Sequence, residues 1–236
     1  LRTIPFTGFG WSRLSFTQVD GPLQFLYSSG GVVLVAFFIA LISSTKSVLS
    51  LAIISVVIAG LSFLPRIETT NEKSSVALIQ GGVVNLGLDF NSKPKEVFLR
   101  HLRQTSDSVK LGQVDLIIWP ENAVDIDVNR NSEVKNLISE KSASLATPLL
   151  VGGVTSSGDN LLNQSFLFDS EIKQTYTKRY LTPFGEYLPL RVIANKISNY
   201  AKKITDFKAG DRDTNFIING ATFQTLICYE LINDSF

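Results

Sequence analysis

Asp115-Leu116-Ile117-Ile118-Trp119-Pro120-Glu121 (DLIIWPE) sets a short apolar run between an acid and a proline. A run of this length, rich in β-branched and aromatic side chains, reads as a strand buried on both faces and stopped by Pro120. A carboxylate, Glu121, follows at once, and strand ends are where α/β folds gather their reacting groups. Taken alone, such a segment is more often a surface acid in a loop.

Outward from this strand the pattern alternates. Residues 76–80 (VALIQ) and 148–155 (PLLVGGVT) are further strands of the same kind. Between them lie two helical patterns. Residues 94–110 space Phe98, Leu102 and Val109 along one face, with Ser92 as the expected N-cap and His101 on the polar side. Residues 132–146 do the same with Val134, Leu137, Ile138 and Leu145. Beyond, 164–169 and 172–177 read as strands around a turn at Ser170-Glu171, and 192–204 as a helix through Ile193, Ile197, Tyr200 and Ile204. Residues 216–219 and 221–228 flank Asn219-Gly220, the strongest short hairpin signal. Strand, helix, strand, helix, strand and then hairpins predict a layered α/β domain, parallel early and antiparallel late.

The first 65 residues are different. Their charges are Arg2, Arg13, Asp20 and Lys46, whereas nearly all the others follow residue 65, so a domain boundary is expected there. Residues 23–42 and 48–64 carry no charge and predict two transmembrane helices, joined by a tight connector into an antiparallel hairpin. Lys46 in the connector points to the cytoplasmic side, and Arg66 pulls the other way. Phe6, Phe9, Trp11 and Phe16 suit a membrane interface, and residues 66–75 read as a linker. With no methionine and Leu1 in first place, the sequence reads as an internal piece of a longer chain. The net charge of +1, with acids and bases interspersed, gives no basic block for nucleic acid. One Cys and one His make a His/Cys metal site an unsuitable reading.

Three segments can carry chemistry. The first ends in Glu121. The second, Tyr176 to Pro189 (YTKRYLTPFGEYLP), places Lys178 at a strand end and Glu186 in a loop of turn formers and aromatics. The third, Leu226-Ile227-Cys228-Tyr229-Glu230, ends an expected strand in the single cysteine. Each alone is ordinary; a lone cysteine at a strand end is more often an inert core residue. Together they form a complete set. A thiol nucleophile needs a base and a group to stabilise the oxyanion, and a carboxylate and a lysine can supply both without histidine.

Trp-Pro-Glu, then Tyr-x-Lys-x-x-Leu-x-Pro-Phe-Gly-Glu-Tyr-x-Pro-Leu, then Cys-Tyr-Glu resembles the apolipoprotein N-acyltransferases, the membrane branch of the nitrilase (carbon–nitrogen hydrolase) superfamily. The resemblance extends to Gly8-Phe9-Gly10-Trp11, Asp20-Gly21-Pro22-Leu23 and both apolar spans, with Tyr180 standing where the resembled motif carries His. It implies an αββα sandwich, incomplete here, over residues 76–236 and cut short after the nucleophile. It places the protein in the bacterial inner membrane as a multi-pass enzyme with its catalytic domain on the periplasmic side. By the same resemblance Glu121 is the general base, Lys178 stabilises the tetrahedral intermediate and Cys228 carries the acyl group as a thioester. Glu186, Tyr229 and Glu230 support them, the Tyr229 N–H as a candidate oxyanion donor. The implied partners are a phospholipid acyl donor and a diacylglyceryl-modified lipoprotein acceptor, with no metal or organic cofactor. The second reading is a membrane-tethered nitrilase-type amidase using the same three residues, with water as acceptor.

Overall fold

The computed structural model describes residues 13–64, 73–82, 95–191, 196 and 205–233. The chain divides into two compact units, Leu1–Glu72 and Lys73–Phe236. The expectations for Phe6, Phe9, Trp11, Arg66, most of the linker, Ser92 and the bulk of the 192–204 helix fall outside the described residues.

In the first unit, two 3-10 turns, Leu14–Gln18 and Gln24–Leu26, lead into α1 (Tyr27–Ser44), and a three-residue connector leads to α2 (Val48–Leu61). Ser47 caps α2 by accepting from the Ser50 N–H at 3.4 Å. Gly30-Gly31 interrupts α1: Gly31 has φ +60° and ψ −158°, a conformation open essentially to glycine alone, so the helix kinks there. Leu26, Val35 and Phe38 pack with Ile54 of α2, giving the expected hairpin a buried seam. Among the described residues, one helix, Gln24–Ser44, is long and apolar enough to cross a membrane. The second span expected at 48–64 is a helix of 14 residues, which rises about 21 Å against a hydrocarbon core of about 30 Å. The charge-free run is longer than the helix because α2 ends at Leu61, with Ser62 as its C-cap and a turn following.

The second unit is built on a five-stranded sheet in the order β1 (Val76–Leu78), β2 (Leu116–Val124), β3 (Leu149–Ser157), β4 (Asn160–Phe168), β5 (Ile172–Thr177). The first three strands are parallel, and β3, β4 and β5 are antiparallel, as the alternation predicts. The crossovers contain α3 (Glu96–Ser108) and α4 (Ser132–Leu145). Asn131 caps α4, its side chain accepting from the Val134 N–H. The period-2 alternation of strands divides the apolar side chains between two faces. Ile117, Trp119, Leu149, Val151, Phe166 and Phe168 form one core with Phe98 of α3 and Val134 and Ile138 of α4. Leu116, Leu150, Leu167 and Tyr176 form another with Phe216, Ile218 and Ile227. Phe216 and Ile218 come from β6 (Phe216–Ile218), which pairs with β7 (Ala221–Phe223) across Asn219 and Gly220, both at positive φ as a two-residue hairpin turn requires.

Four expectations need correction. Pro120 does not stop β2. The strand continues to Val124 through a bulge, Trp119 pairing with Val151 and Val124 with Gly153. The bulge presses against β3 so closely that a Cβ on Gly152 would lie 2.4 Å from the Pro120 carbonyl oxygen, so glycine is required there. The sheet also contains a β3–β4 hairpin turning at Gly158-Asp159, which makes β4 four residues longer at its start than expected. His101 is buried, 2% exposed, beside Trp119, with Nδ1 2.9 Å from the Val97 carbonyl. Thr105, one turn on, donates to the His101 carbonyl and accepts from the Trp119 indole, so this turn of α3 faces the core. Finally, 224–228 is not strand: Cys228 opens a 3-10 turn, Cys228–Ile232.

Candidate active site

Lys178 follows β5 directly and is 1% exposed, a burial that an ammonium tolerates only with anionic partners. Its Nζ lies 2.8 Å from Glu186 Oε2 and 3.9 Å from Glu121 Oε1. Glu121 arrives on the β2 bulge. Glu186 arrives on the turn that the Pro183-Phe184-Gly185 sequence makes, where Phe184 has φ +65° and the Glu186 N–H bonds back to the Thr182 carbonyl. The chain after Lys178 is held from a third side by Gly210, whose N–H donates to the Lys178 carbonyl at 2.8 Å. A Cβ on Gly210 would lie 2.3 Å from the Thr177 carbonyl oxygen, so this approach also demands glycine.

The two carboxylates are bound differently. Glu186 Oε1 accepts from Asn163 Nδ2 at 2.8 Å, and its Oε2 accepts from the Thr182 N–H at 2.8 Å besides pairing with Lys178. Both of its oxygens are engaged. Glu121 Oε1 accepts from Asn163 Nδ2 at 2.6 Å, and its Oε2 makes no hydrogen bond among the described residues. Glu121 therefore keeps an acceptor oxygen for an incoming proton, whereas Glu186 is saturated as an anion beside the ammonium.

Cys228 stands at φ +51°, uncommon for a non-glycine residue, at the point where extended chain turns into the 3-10 helix. Its side chain is exposed. Partial burial pushes the thiol pKa up, the negative charge of Glu121 raises it further, and the Lys178 ammonium and the Tyr229 N–H lower it. The sulfur thus sits within the electrostatic reach of Glu121, Lys178 and Glu186, and the net effect keeps it a thiol that needs a base.

Glu230 explains the turn at Cys228. It is fully buried, and one carboxylate oxygen accepts from the Tyr176 hydroxyl at 2.7 Å and from the N–H groups of Arg179 (2.7 Å) and Tyr180 (3.1 Å). The other accepts from the Ile227 N–H at 2.8 Å. One carboxylate thereby ties the backbone before Cys228 to the backbone after Lys178. Burial, together with the bond to Glu230, pushes the Tyr176 hydroxyl pKa well above its ordinary value. Tyr229 is buried, with its N–H on the sulfur.

The structure thus brings Glu121, Lys178, Glu186 and Cys228 into one electrostatic cluster, and places Glu230 behind it as an anchor of the chain. Asn163, which no motif flagged, bonds both glutamates.

A family model described as the apolipoprotein N-acyltransferase N-terminal domain matches residues 1–45. The chain is 30% identical to an apolipoprotein N-acyltransferase of Haemophilus influenzae, across 98% of this chain and 50% of that protein. It is 29% identical to one of Mycolicibacterium smegmatis, across 93% of this chain and 44% of that protein. Among solved structures it is similar to a CN-hydrolase superfamily protein from Xanthomonas campestris, with a TM-score of 0.48 and 17% identity over 68% of this chain and 55% of that one. The chain spans about half the length of the curated relatives it matches. Along nearly its whole length, then, the chain is similar to apolipoprotein N-acyltransferases.

Proposed function

We propose that this chain carries the reacting groups of an apolipoprotein N-acyltransferase, which moves an acyl chain from a phospholipid to the N-terminal amino group of a diacylglyceryl-cysteine lipoprotein. The observation that carries the reading is the buried Lys178 ammonium held beside Glu121 and Glu186, with the Cys228 thiol within reach of their charges. In the first half-reaction the free Oε2 of Glu121 takes the Sγ proton, and the thiolate attacks the ester carbonyl carbon. Lys178 Nζ and the Tyr229 N–H stabilise the oxyanion. The carbon–oxygen ester bond breaks, Glu121 returns the proton to the leaving alkoxide, and a lysophospholipid departs from the thioester. In the second half the α-amino nitrogen attacks the thioester, Glu121 accepts its proton, the carbon–sulfur bond breaks and the thiolate is reprotonated. Two half-reactions through one thioester give ping-pong kinetics.

The finer fold is part of the same reading: an αββα sandwich over 76–236, a linker at 66–75, and a multi-pass membrane region over 1–65 in which both apolar helices span. Helix Gln24–Ser44 has the length for this, and α2 exposes Val48, Leu49 and Val56 in a manner suited to lipid. The catalytic unit then lies on the periplasmic side of a bacterial inner membrane, next to both lipid-anchored substrates, which raises their effective concentration at the site.

The test is transfer of a radiolabelled acyl chain from phospholipid vesicles to a diacylglyceryl-cysteine peptide by the full-length parent protein. Transfer that is lost in Cys228→Ser is the expected result. Hydrolysis of small amides without transfer would instead support a membrane-tethered amidase.

A further inference from the structure

Asn163 lies in β4 and is 3% exposed. Its side-chain nitrogen donates to Glu121 Oε1 at 2.6 Å and to Glu186 Oε1 at 2.8 Å. Its backbone carbonyl accepts from the Lys178 N–H at 2.9 Å. One residue therefore touches three of the four groups in the cluster. Its Oδ1 is buried and has no hydrogen-bond partner among the described residues. A buried orphan acceptor calls for an explanation, and the two carboxylates provide it. Both are acceptor-only when ionised, and they repel each other. A primary amide offers two N–H bonds from one nitrogen, enough for one to each. Turning the amide over would satisfy nothing and set Oδ1 against two anionic oxygens. The site keeps the orientation that serves the carboxylates and leaves Oδ1 unpaired.

We infer that Asn163 is a positioning residue that holds Glu121 and Glu186 in one fixed arrangement around the Lys178 ammonium. The inference rests on the acyl-enzyme reading above. It assigns the two glutamates their separate duties. By occupying Oε1 of Glu121, Asn163 presents Oε2 to the thiol proton. By completing the shell of Glu186, it keeps that carboxylate as the fixed counter-ion of Lys178. Without the bridge, the two acids can share a proton or exchange places at the ammonium, and neither is then reliably the base.

The test uses the full-length parent protein in vesicles of phosphatidylethanolamine and phosphatidylglycerol, and follows the rate of hydroxylamine-labile acylation of Cys228 between about pH 5.5 and pH 8, where a buried carboxylate titrates. Asn163→Leu keeps the size and loses both donors. Asn163→Asp keeps the shape and can donate only when its new carboxyl is protonated. Acylation at neutral pH should fall about tenfold to a hundredfold in each, the worth of one or two charge-assisted hydrogen bonds. The ratio of Asn163→Asp to wild-type rates should then climb as the pH falls, while the ratio for Asn163→Leu stays flat. A purely steric role gives flat ratios for both, and that result overturns the inference, as does near-wild-type acylation in Asn163→Leu. If Asn163→Asp does not fold by thermal melting, Asn163→Ser replaces it. Its single hydroxyl donor should give a rate between Asn163→Leu and wild type, and a rate no higher than that of Asn163→Leu overturns the inference. A wild-type protein that gains no Cys228 adduct at any pH overturns the acyl-enzyme reading, and the inference with it.

Discussion

The two units invert each other's burial. In the first, apolar side chains such as Val33, Val48, Val56 and Phe63 are largely exposed, and charges are nearly absent. In the second, Lys178, Glu186 and Glu230 are buried, and the apolar residues fill two cores on either face of a sheet. Neither arrangement is at ease in water. Exposed apolar helices need lipid or other apolar surface, and buried ions need a complete set of partners. Each unit thus needs a different surrounding: apolar contact for the exposed faces of α1 and α2, and a fixed shell of hydrogen bonds for the ion cluster.

Removing the proposed nucleophile should have the largest effect. Cys228→Ser should lower acyl transfer at least about a thousandfold, some 4 kcal/mol of barrier, with the melting temperature little changed because the side chain is exposed. Next comes Lys178→Met, which leaves Glu186 buried beside no cation. Chemical denaturation should show about 3–5 kcal/mol of stability lost, where an exposed lysine would cost almost nothing. Lys178→Arg should also fail in transfer, since a planar fork does not fit the place of a point charge. On the other side of the comparison, Phe37→Lys in α1 should cost about 2.5–3.5 kcal/mol of membrane insertion, read as protein lost from the alkali-resistant membrane fraction. Full insertion of that variant would mean that α1 does not lie in lipid.

Two smaller effects sharpen the electrostatics. The Glu121 charge raises the Cys228 pKa, so Glu121→Gln should increase the thiolate fraction. Alkylation of Cys228 by iodoacetamide at pH 7 should then speed up several-fold while transfer stops. Slower alkylation would remove Glu121 from the neighbourhood of the sulfur. His101 is held neutral by burial, its pKa lowered from 6.5. The unfolded chain therefore binds the proton more readily, and stability should be full above about pH 6.5 and decline as the pH falls below it. A Phe in its place should flatten that slope.

Much of this was legible in the sequence because local and global signals agree. The apolar run at 115–119, the helix at 132–146 and the Asn219-Gly220 turn all fold as their residues suggest. Glu121, Lys178 and Cys228, which the fold brings into one cluster, stood out as spaced motifs. What failed to show depends on contacts distant in sequence. The run to Cys228 looks like strand, yet the Ile227 N–H that a ladder would use is taken by Glu230. Pro120 looks like a strand end, yet Gly152 lets the bulge pack and the strand resume. His101 looks polar, yet Trp119, Gln80 and Gly81, distant in sequence, pack against it. Asn163 gave no signal at all, since its importance lies in two glutamates that are 42 and 23 positions away. The Gly158-Asp159 turn was a readable signal that the strand pattern around it concealed.

The most direct test of the account is the intact mass of the full-length parent protein purified from membranes, with and without added phospholipid. A mass increase of one acyl chain, released by neutral hydroxylamine and absent from Cys228→Ala, is the expected result. A Cys228 that stays unmodified in the presence of phospholipid, in protein that still transfers acyl chains, would contradict the thioester route and the roles given to Glu121 and Lys178.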